Sequence, residues 1–260
     1  TLPKAVIPVH LTGQSCDMES IRQLSKEYGF SVIEDASHAV GGRYKNDAIG
    51  SCKYSDICVF SFHPVKIITT GEGGMALTNN SQLAQKIGQL RSHGITRDPE
   101  QLSNKDPEPW WYEQIDLGLN YRMTDIQAAL GLSQMSRLDQ YVAIRNQLAQ
   151  RYDELLAKLP VIVPAQAKDC YSSRHLYVVR LKLDEIDKSR RQVFESLREQ
   201  GVGVQIHYIP VPSQPYYKNL GFSDADYPHG LSYYQEAISL PLFPTMTTEQ
   251  QDKIVSVLTD

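Results

Sequence analysis

The sequence predicts an α/β protein in which a larger domain with a mainly parallel sheet precedes a smaller α+β domain. Over residues 1–100, short apolar runs alternate with amphipathic helical patterns, an order typical of layered α/β domains. The run at 56–62 is apolar on both faces, as expected of a buried parallel strand. After a proline-bounded segment at 160–164 the pattern changes. We therefore predict domains over residues 1–158 and 159–260.

Local signals set the elements of the first domain. Apolar runs predict strands over residues 5–9, 31–35, 56–62 and 75–78. Helical spacing of apolar residues begins after Asp17, a residue favoured at helix N-caps, and ends at Gly29, a residue favoured just beyond helix C-termini. A second amphipathic helix is predicted over 81–93.

The remaining elements are predicted in the same way. Residues 97–116 contain three prolines and are predicted to be irregular. One long helix is expected over 124–158, with an apolar stripe formed by Ala128, Leu132, Met135, Leu138 and Val142. In the smaller domain we predict strands over 175–183 and 202–208, a helix over 189–200 that ends at Gly201, and then two short helices.

Composition excludes several classes of function. The formal net charge is −4 and the sequence pI is about 6.0, which leaves no basic surface for nucleic acid or an anionic membrane. Apolar runs are too short to span a bilayer. The four cysteines form no C-x-x-C pair and have no histidines at zinc-ligand spacing. We expect a cytoplasmic protein with free thiols and no metal.

Polar side chains follow two of the predicted strands at their carboxyl ends, where ligands of α/β sheets bind. These are the carboxylate of Asp35 and, after the next long strand, the hydroxyl of Ser61 and the amine of Lys66. Pyridoxal phosphate (PLP) chemistry needs an amine for a Schiff base, a carboxylate at the pyridine nitrogen and donors for the phosphate. Taken singly, each residue has an ordinary explanation. Lys66 could be a surface lysine, Asp35 a turn residue or helix cap, and Ser61 a residue of the strand without a function of its own. As a set they favour a PLP site.

The same stretches resemble a known family. The motifs are 7–13 (IPVHLTG), 32–39 (VIEDASHA), 60–66 (FSFHPVK) with 70–74 (TGEGG), 119–125 (LNYRMTD) and 239–244 (SLPLFP). Together they resemble the DegT/StrS family of nucleotide-sugar aminotransferases. The resemblance covers nearly the whole chain. It implies the fold-type I architecture of PLP-dependent aminotransferases, with PLP as the cofactor.

The resemblance also implies residue roles. Lys66 would form the Schiff base and shuttle protons, and Asp35 would pair with the pyridine nitrogen. His38 stands where the family has Gln or His near the ring's 3-hydroxyl, and Ser61 would contact the phosphate. Asn120 would reach the phosphate of a neighbouring subunit's cofactor, which implies a homodimer with shared active sites. From the residues alone, Asn120 is better explained as a turn residue before the long helix.

The resemblance predicts the residues that contact the substrate less directly. The stretch from Val204 to Val211 (VQIHYIPV) resembles most the pseudaminic acid branch of the family, which aminates a UDP-linked 4-keto-6-deoxy sugar with glutamate as donor. His207 and Tyr208 are therefore candidate substrate residues, or else strand-end packing. Arg122 could hold a carboxylate or phosphate, or form an interface ion pair.

The front of the chain departs from the family pattern. Family members carry a further N-terminal section, with a glycine-rich phosphate cradle and an aromatic that stacks on the ring, and we expect that this section is missing here. Two alternatives to an active aminotransferase follow. One is an inactive truncated chain that folds or assembles without turnover. The other is a PLP-dependent sugar dehydratase, which is disfavoured because those relatives have His where Lys66 stands.

Overall fold

The computed structural model describes residues 2–259, so that the domain limits predicted at Thr1 and Asp260 lie outside it. The strands are, in chain order, β1 (Ala5–Val6), β2 (Ser31–Asp35), β3 (Arg43–Tyr44), β4 (Asp47–Ala48), β5 (Ile57–Ser61), β6 (Gly74–Leu77), β7 (Ile95–Thr96), β8 (Glu113–Gln114), β9 (Val161–Ile162), β10 (Cys170–Tyr171), β11 (Tyr177–Leu181) and β12 (Ala237–Leu240). The helices are α1 (Met18–Tyr28), α2 (Ser81–Leu90), α3 (Asp125–Met135), α4 (Leu138–Leu156), α5 (Arg190–Glu199), α6 (Pro215–Asn219), α7 (Pro228–Glu236) and α8 (Thr248–Thr259). Across residues 2–259, no helix combines the length and apolar character that a bilayer span requires.

The sheet that carries the site has the strand order β1-β2-β5-β6. The first three strands are parallel and β6 is antiparallel to β5, which confirms the predicted α/β class with a mainly parallel sheet. Asp35 is in register with Val59, and Ser61 pairs with Gly74. The carboxyl ends of β2 and β5 therefore lie side by side at one edge of the sheet.

Helix α1 begins and ends where the sequence predicts. The Asp17 carboxylate accepts the backbone N–H of Ser20, and Gly29 adopts the left-handed conformation (φ 76°), with its N–H donating to the Ser25 carbonyl. Such a conformation costs little for glycine because it has no Cβ. The chain is thereby turned back into β2.

A second, antiparallel sheet has the order β12-β11-β9. It packs with α5 and α8 around a buried core that includes Tyr152 and Tyr177, whose ring centroids are 4.9 Å apart. Helix α4 also packs on the first core through Leu138 and Val142. Because α4 contributes to both cores, the domain limit between residues 158 and 159 stays a prediction.

The prediction of one helix over residues 124–158 is wrong. The chain forms α3 and α4, and Arg137 between them leaves helical geometry (φ −111°, ψ 1°). Because the helix is interrupted at Arg137, the apolar residues of α3 and α4 do not form one continuous buried stripe. Leu132 is 74% exposed, whereas Val142 is 2% exposed.

The strand predicted over residues 202–208 is also wrong. In this stretch, which the structure describes in full, Gln205 alone pairs, through a single bridge to Ser239 of β12. The apolar residues Val202 and Val204 are buried against the second core. Their burial produces the alternating pattern without a regular ladder of hydrogen bonds.

Candidate active site

Asp35 is the last residue of β2, and both its backbone N–H and its backbone carbonyl form hydrogen bonds. Its N–H donates to the carbonyl of Pro8 (2.9 Å), and its carbonyl accepts the N–H of His10 (3.0 Å). One carboxylate oxygen accepts the N–H of Ser37 (3.0 Å). The other carboxylate oxygen has no hydrogen-bond partner among the described residues and can accept a hydrogen bond from a ligand. The carboxylate is thus oriented at the carboxyl end of β2.

Lys66 lies in the turn that follows β5. Its N–H donates to the carbonyl of His63 (2.9 Å), while Ile67 and Ile68, immediately after it, are buried in the core of the sheet. The half-buried amine is therefore presented by a well-anchored turn. Burial lowers the pKa of Lys66, and the Asp35 carboxylate opposes this shift. A lowered pKa raises the fraction of neutral, nucleophilic amine near neutral pH.

Ser61 is the last residue of β5, next to the glycines that start β6. Its hydroxyl oxygen accepts the N–H of His63 (3.4 Å), and the adjacent Phe62 N–H donates to the carbonyl of Gly73 (2.8 Å). The hydroxyl keeps its own proton for donation. A phosphate oxygen is a suitable acceptor for such a donor.

His38 is a buried residue, with 8% of its surface exposed. The backbone N–H of Thr12 donates to its Nδ1 (3.2 Å), and its Nε2 lies 3.4 Å from the Tyr208 hydroxyl. The ring of His175 lies 4.5 Å away between centroids. Burial, with the charge of Lys66, lowers the pKa of His38 to about 4. His38 is therefore neutral at physiological pH.

His207 and Tyr208 reach this cluster from the chain that precedes α6. His207 Nδ1 lies 2.7 Å from the hydroxyl of Ser239 in β12. Burial and the charge of Lys66 lower the pKa of His207, and burial with the charge of Asp35 raises the pKa of Tyr208. The structure thus brings five of the sequence-predicted residues into one cluster: Asp35, His38, Lys66, His207 and Tyr208.

Asn120 and Arg122 lie elsewhere on the chain's surface and are exposed. Asn120 forms a bridge with Ser92, and the Arg122 guanidinium lies 3.5 Å from His93 Nε2. Arg122 also lines a groove of about 900 Å³ that extends to Gly73 and Gly74. The roles predicted for Asn120 and Arg122 stay predictions.

Two residues that adjoin His38, His175 and Thr12, were not predicted as site residues from the sequence. His175 is 6% exposed and its Nδ1 has no hydrogen-bond partner among the described residues; burial, with the charges of His38 and Lys66, lowers its pKa to about 2. Thr12 contributes only its backbone, which no side-chain motif reveals. Both are far from His38 in sequence, so that only the fold brings them together.

The side chains of this cluster suit PLP. A half-buried amine with a lowered pKa is suited to the aldehyde, a carboxylate to a protonated ring nitrogen, and a serine hydroxyl to a phosphate. The His38 ring adds a neutral polar group between them.

Comparisons with known proteins identify relatives of the chain. The chain is 38% identical to the spore coat polysaccharide biosynthesis protein SpsC of Bacillus subtilis over 260 residues, covering 99% of the chain and 66% of SpsC. It is 36% identical to the UDP-4-amino-4,6-dideoxy-N-acetyl-beta-L-altrosamine transaminase of Campylobacter jejuni, covering 98% of the chain and 65% of that protein. The chain therefore spans about two thirds of the length of these relatives.

Solved structures give the same picture. Helicobacter pylori PseC, an aminotransferase involved in the biosynthesis of pseudoaminic acid, matches with a TM-score of 0.88 at 32% identity, over 98% of this chain and 67% of PseC. Spr1654 of Streptococcus pneumoniae, described as a sugar aminotransferase, matches in its PLP form with a TM-score of 0.84 at 30% identity, over 98% of this chain and 67% of Spr1654.

Residues 1–259 of the chain also match the model of one protein family. That match agrees with the parallel sheet and with the motifs around Asp35 and Lys66. The chain belongs to the DegT/DnrJ/EryC1/StrS aminotransferase family.

Proposed function

We propose that this chain carries the lysine-bearing part of a PLP-dependent aminotransferase that acts on a nucleotide-linked keto-sugar. The observation that carries the proposal is the half-buried amine of Lys66, whose pKa burial lowers and the charge of the Asp35 carboxylate raises. Family membership and the PLP form of Spr1654 support the same cofactor.

Bound PLP supplies an electron sink for the transfer of an amino group from a donor amino acid to a ketone. Lys66 would hold the cofactor through its Nζ amine, and the same amine, when free, would take the proton from the donor's Cα. Its half-buried position keeps competing water away from that proton. The lowered pKa of Lys66 provides the neutral amine that this step requires.

Asp35 holds the proton on the ring nitrogen through its charge. The N–H of Ser37 fixes one carboxylate oxygen (3.0 Å), which orients the other for the ring. Ser61 would donate its hydroxyl hydrogen to the phosphate, and His38 would contribute a neutral polar group to the cofactor site. His207 and Tyr208 complete the site on the side where the sugar enters.

The substrate is a UDP-linked 4-keto-6-deoxy sugar and the amino donor is glutamate, for surface polysaccharide or flagellin glycan biosynthesis. The names of the Campylobacter transaminase and of PseC support this choice of sugar. The polysaccharide role named for SpsC is consistent with it. Arg122, exposed beside a groove, contributes positive charge for the anionic substrate.

The enzyme works in the cytoplasm as a homodimer with shared active sites. Asn120 is exposed and its neighbours Tyr121 and Leu117 are 74% and 84% exposed. Exposed apolar side chains of this size mark a surface that is covered by protein. This supports subunit contact around Asn120.

The first experiment titrates PLP into the chain and follows the absorbance of the bound cofactor, then reduces the complex with borohydride and maps the modified peptide by mass spectrometry. We expect the label on Lys66, its loss in Lys66→Ala and its retention in Lys53→Ala. Lys53 is an exposed lysine paired with Asp47 and is a matched control.

The two alternatives give different results in the same experiment. A truncated, inactive chain binds no PLP and leaves no label. A sugar dehydratase binds PLP but releases no oxoglutarate from glutamate. Labelled Lys66 together with release of oxoglutarate supports the aminotransferase.

A further inference from the structure

Thr12 has a backbone conformation that is rare for its residue type. Its φ is 65° and its ψ is −5°, a left-handed conformation that β-branched residues seldom adopt. The surrounding chain holds it there. Its carbonyl accepts the N–H of Leu176 (3.3 Å), and the carbonyl of Gly13 accepts the N–H of Ser173 (3.0 Å). A Cβ on Gly13 would meet the Ser173 hydroxyl at 2.5 Å, so this packing requires glycine.

This conformation directs the backbone N–H of Thr12 at Nδ1 of His38, at 3.2 Å. An imidazole nitrogen that accepts an N–H carries no proton of its own. The single proton of the neutral ring is therefore on Nε2. The opposite tautomer would place two hydrogens between Thr12 and His38.

On the other side of the ring, Nε2 lies 3.4 Å from the Tyr208 hydroxyl. With its proton on Nε2, His38 is the donor and the Tyr208 oxygen is the acceptor. The tyrosine then keeps its own proton for another acceptor. Tyr208 is half exposed (51%), so that a ligand can reach this hydroxyl.

Burial and the charge of Lys66 favour the neutral ring of His38, and together they outweigh the opposing charge of Asp35. Lys66 contributes positive charge and Asp35 negative charge, and the rings of His175 and Tyr208 cover two sides. His207 adjoins Tyr208, with ring centroids 4.6 Å apart. His175 and His207 are themselves kept uncharged by burial.

We propose that Thr12 is a positioning residue whose backbone N–H fixes His38 as a donor at Nε2, and that Tyr208 in consequence presents its O–H to an oxyanion of the bound ligand. The identity of that ligand rests on the proposed aminotransferase function. The tautomer does not, because it exists without the cofactor.

The test is ¹⁵N NMR of the full chain without cofactor. Two-bond ¹⁵N–¹H correlations distinguish the two neutral tautomers of His38, and a ¹⁵N–¹⁵N coupling across the hydrogen bond identifies Thr12 as the donor. We expect the Nε2–H tautomer from pH 6 to 8 and a coupling between Thr12 N and His38 Nδ1. An Nδ1–H tautomer, a mixture of tautomers or an absent coupling would overturn the proposal.

Two variants separate the effects of Tyr208 and Thr12 on the tautomer of His38. Tyr208→Phe removes the acceptor, and we expect the same tautomer and the same coupling; a switch of tautomer would show that Tyr208 and not Thr12 decides it, and would overturn the proposal. Thr12→Gly keeps the N–H and suits a positive φ, and we expect the coupling to persist. Its loss in this variant would equally overturn the proposal.

A separate measurement tests whether Tyr208 donates its O–H to an oxyanion of the ligand. Glutarate, a dicarboxylate without an amino group, is titrated into the PLP-loaded chain, and we expect Tyr208→Phe to weaken its binding at least tenfold. Unchanged binding would overturn the role of Tyr208. A chain that shows the tautomer but takes up no PLP contradicts the proposed function and leaves the role of Thr12 intact, so that the two failures are distinguishable.

Discussion

His10 and Glu34 form a buried contact directly behind the site: His10 Nε2 lies 2.7 Å from a carboxylate oxygen of Glu34. Side chains alternate across a strand, so Glu34 faces away from the ligand side that the next residue, Asp35, faces. The second oxygen of Glu34 accepts the Ser55 hydroxyl, and the Cys16 N–H donates to His10 Nδ1 (3.2 Å). This network ties the turn after β1 to β2.

Removing His10 is expected to destabilise the fold. His10 is 0% exposed and Glu34 is 5% exposed, so His10→Ala leaves a buried carboxylate without its main partner. We expect a loss of about 3 kcal/mol in the free energy of unfolding, measured by urea denaturation. Lys53→Ala, which breaks an exposed ion pair, should show no measurable change. A loss in His10→Ala as small as that of the control would contradict the prediction.

Acidification is expected to remove the part of the stability that depends on the neutral rings of His38 and His175. The folded-state pKa of His38 is lowered to about 4 and that of His175 to about 2, through burial first. Between these values and 6.5 the unfolded chain binds more protons than the folded chain, so the free energy of unfolding rises with pH. Each ring contributes at most about 1.4 kcal/mol per pH unit in this window. The contribution is complete above 6.5 and is lost as the pH falls.

His175→Phe is the variant that isolates this effect. It keeps a buried ring beside His38 but removes one titrating group. Urea denaturation at pH 7 and pH 5 should show a smaller difference between the two pH values than in the parent chain. His63→Phe, at an exposed position (48% of the side chain), serves as the control and should keep the parent slope. Equal slopes in the parent and His175→Phe would refute the prediction.

Local signals in the sequence were sufficient for α1, β2 and the strand-end positions of Asp35 and Ser61. Asp17 and Gly29 are start and stop signals that act within one helical turn, so they can be recognised without the fold. The break at Arg137 and the irregular path around Gln205 depend on packing between distant elements. His175 lies 137 positions after His38 in the chain, and no periodic pattern connects them.

Lys66→Arg is expected to bind no PLP covalently. The guanidinium stays protonated at every accessible pH and is not a nucleophile, although it keeps a positive charge near Asp35. The borohydride-treated variant should therefore carry no cofactor on residue 66, and turnover should be absent. Far-ultraviolet circular dichroism should match the parent chain, because Lys66 is half-buried and in a turn. Turnover by this variant would remove Lys66 from its proposed role.

Asp35→Asn should bind some PLP but react slowly. The amide has the shape of the carboxylate and can still accept the Ser37 N–H, but it cannot hold a pyridinium by charge. We expect the proton-transfer step of the glutamate half-reaction to slow on the order of 100-fold, measured by stopped-flow absorbance. A near-normal rate would mean that Asp35 serves only to cap the end of β2.

Activity shared between subunits is the expected consequence of the role proposed for Asn120. If its side chain reaches the cofactor phosphate of a neighbouring subunit, Lys66→Ala and Asn120→Ala damage sites in opposite chains. Mixing the two inactive variants then gives heterodimers with one intact site and one doubly defective site. With random exchange of subunits, about a quarter of the parent activity should return.

The matched control mixes Lys66→Ala with Asp35→Asn. Both residues lie in the same cluster of one chain, so every site in such a heterodimer keeps one defect and no activity should return. The test uses the complete polypeptide encoded by the source gene, because the relatives are about half as long again as this chain. A monomer by light scattering that still binds PLP tightly would make Asn120 a turn residue before α3 and nothing more.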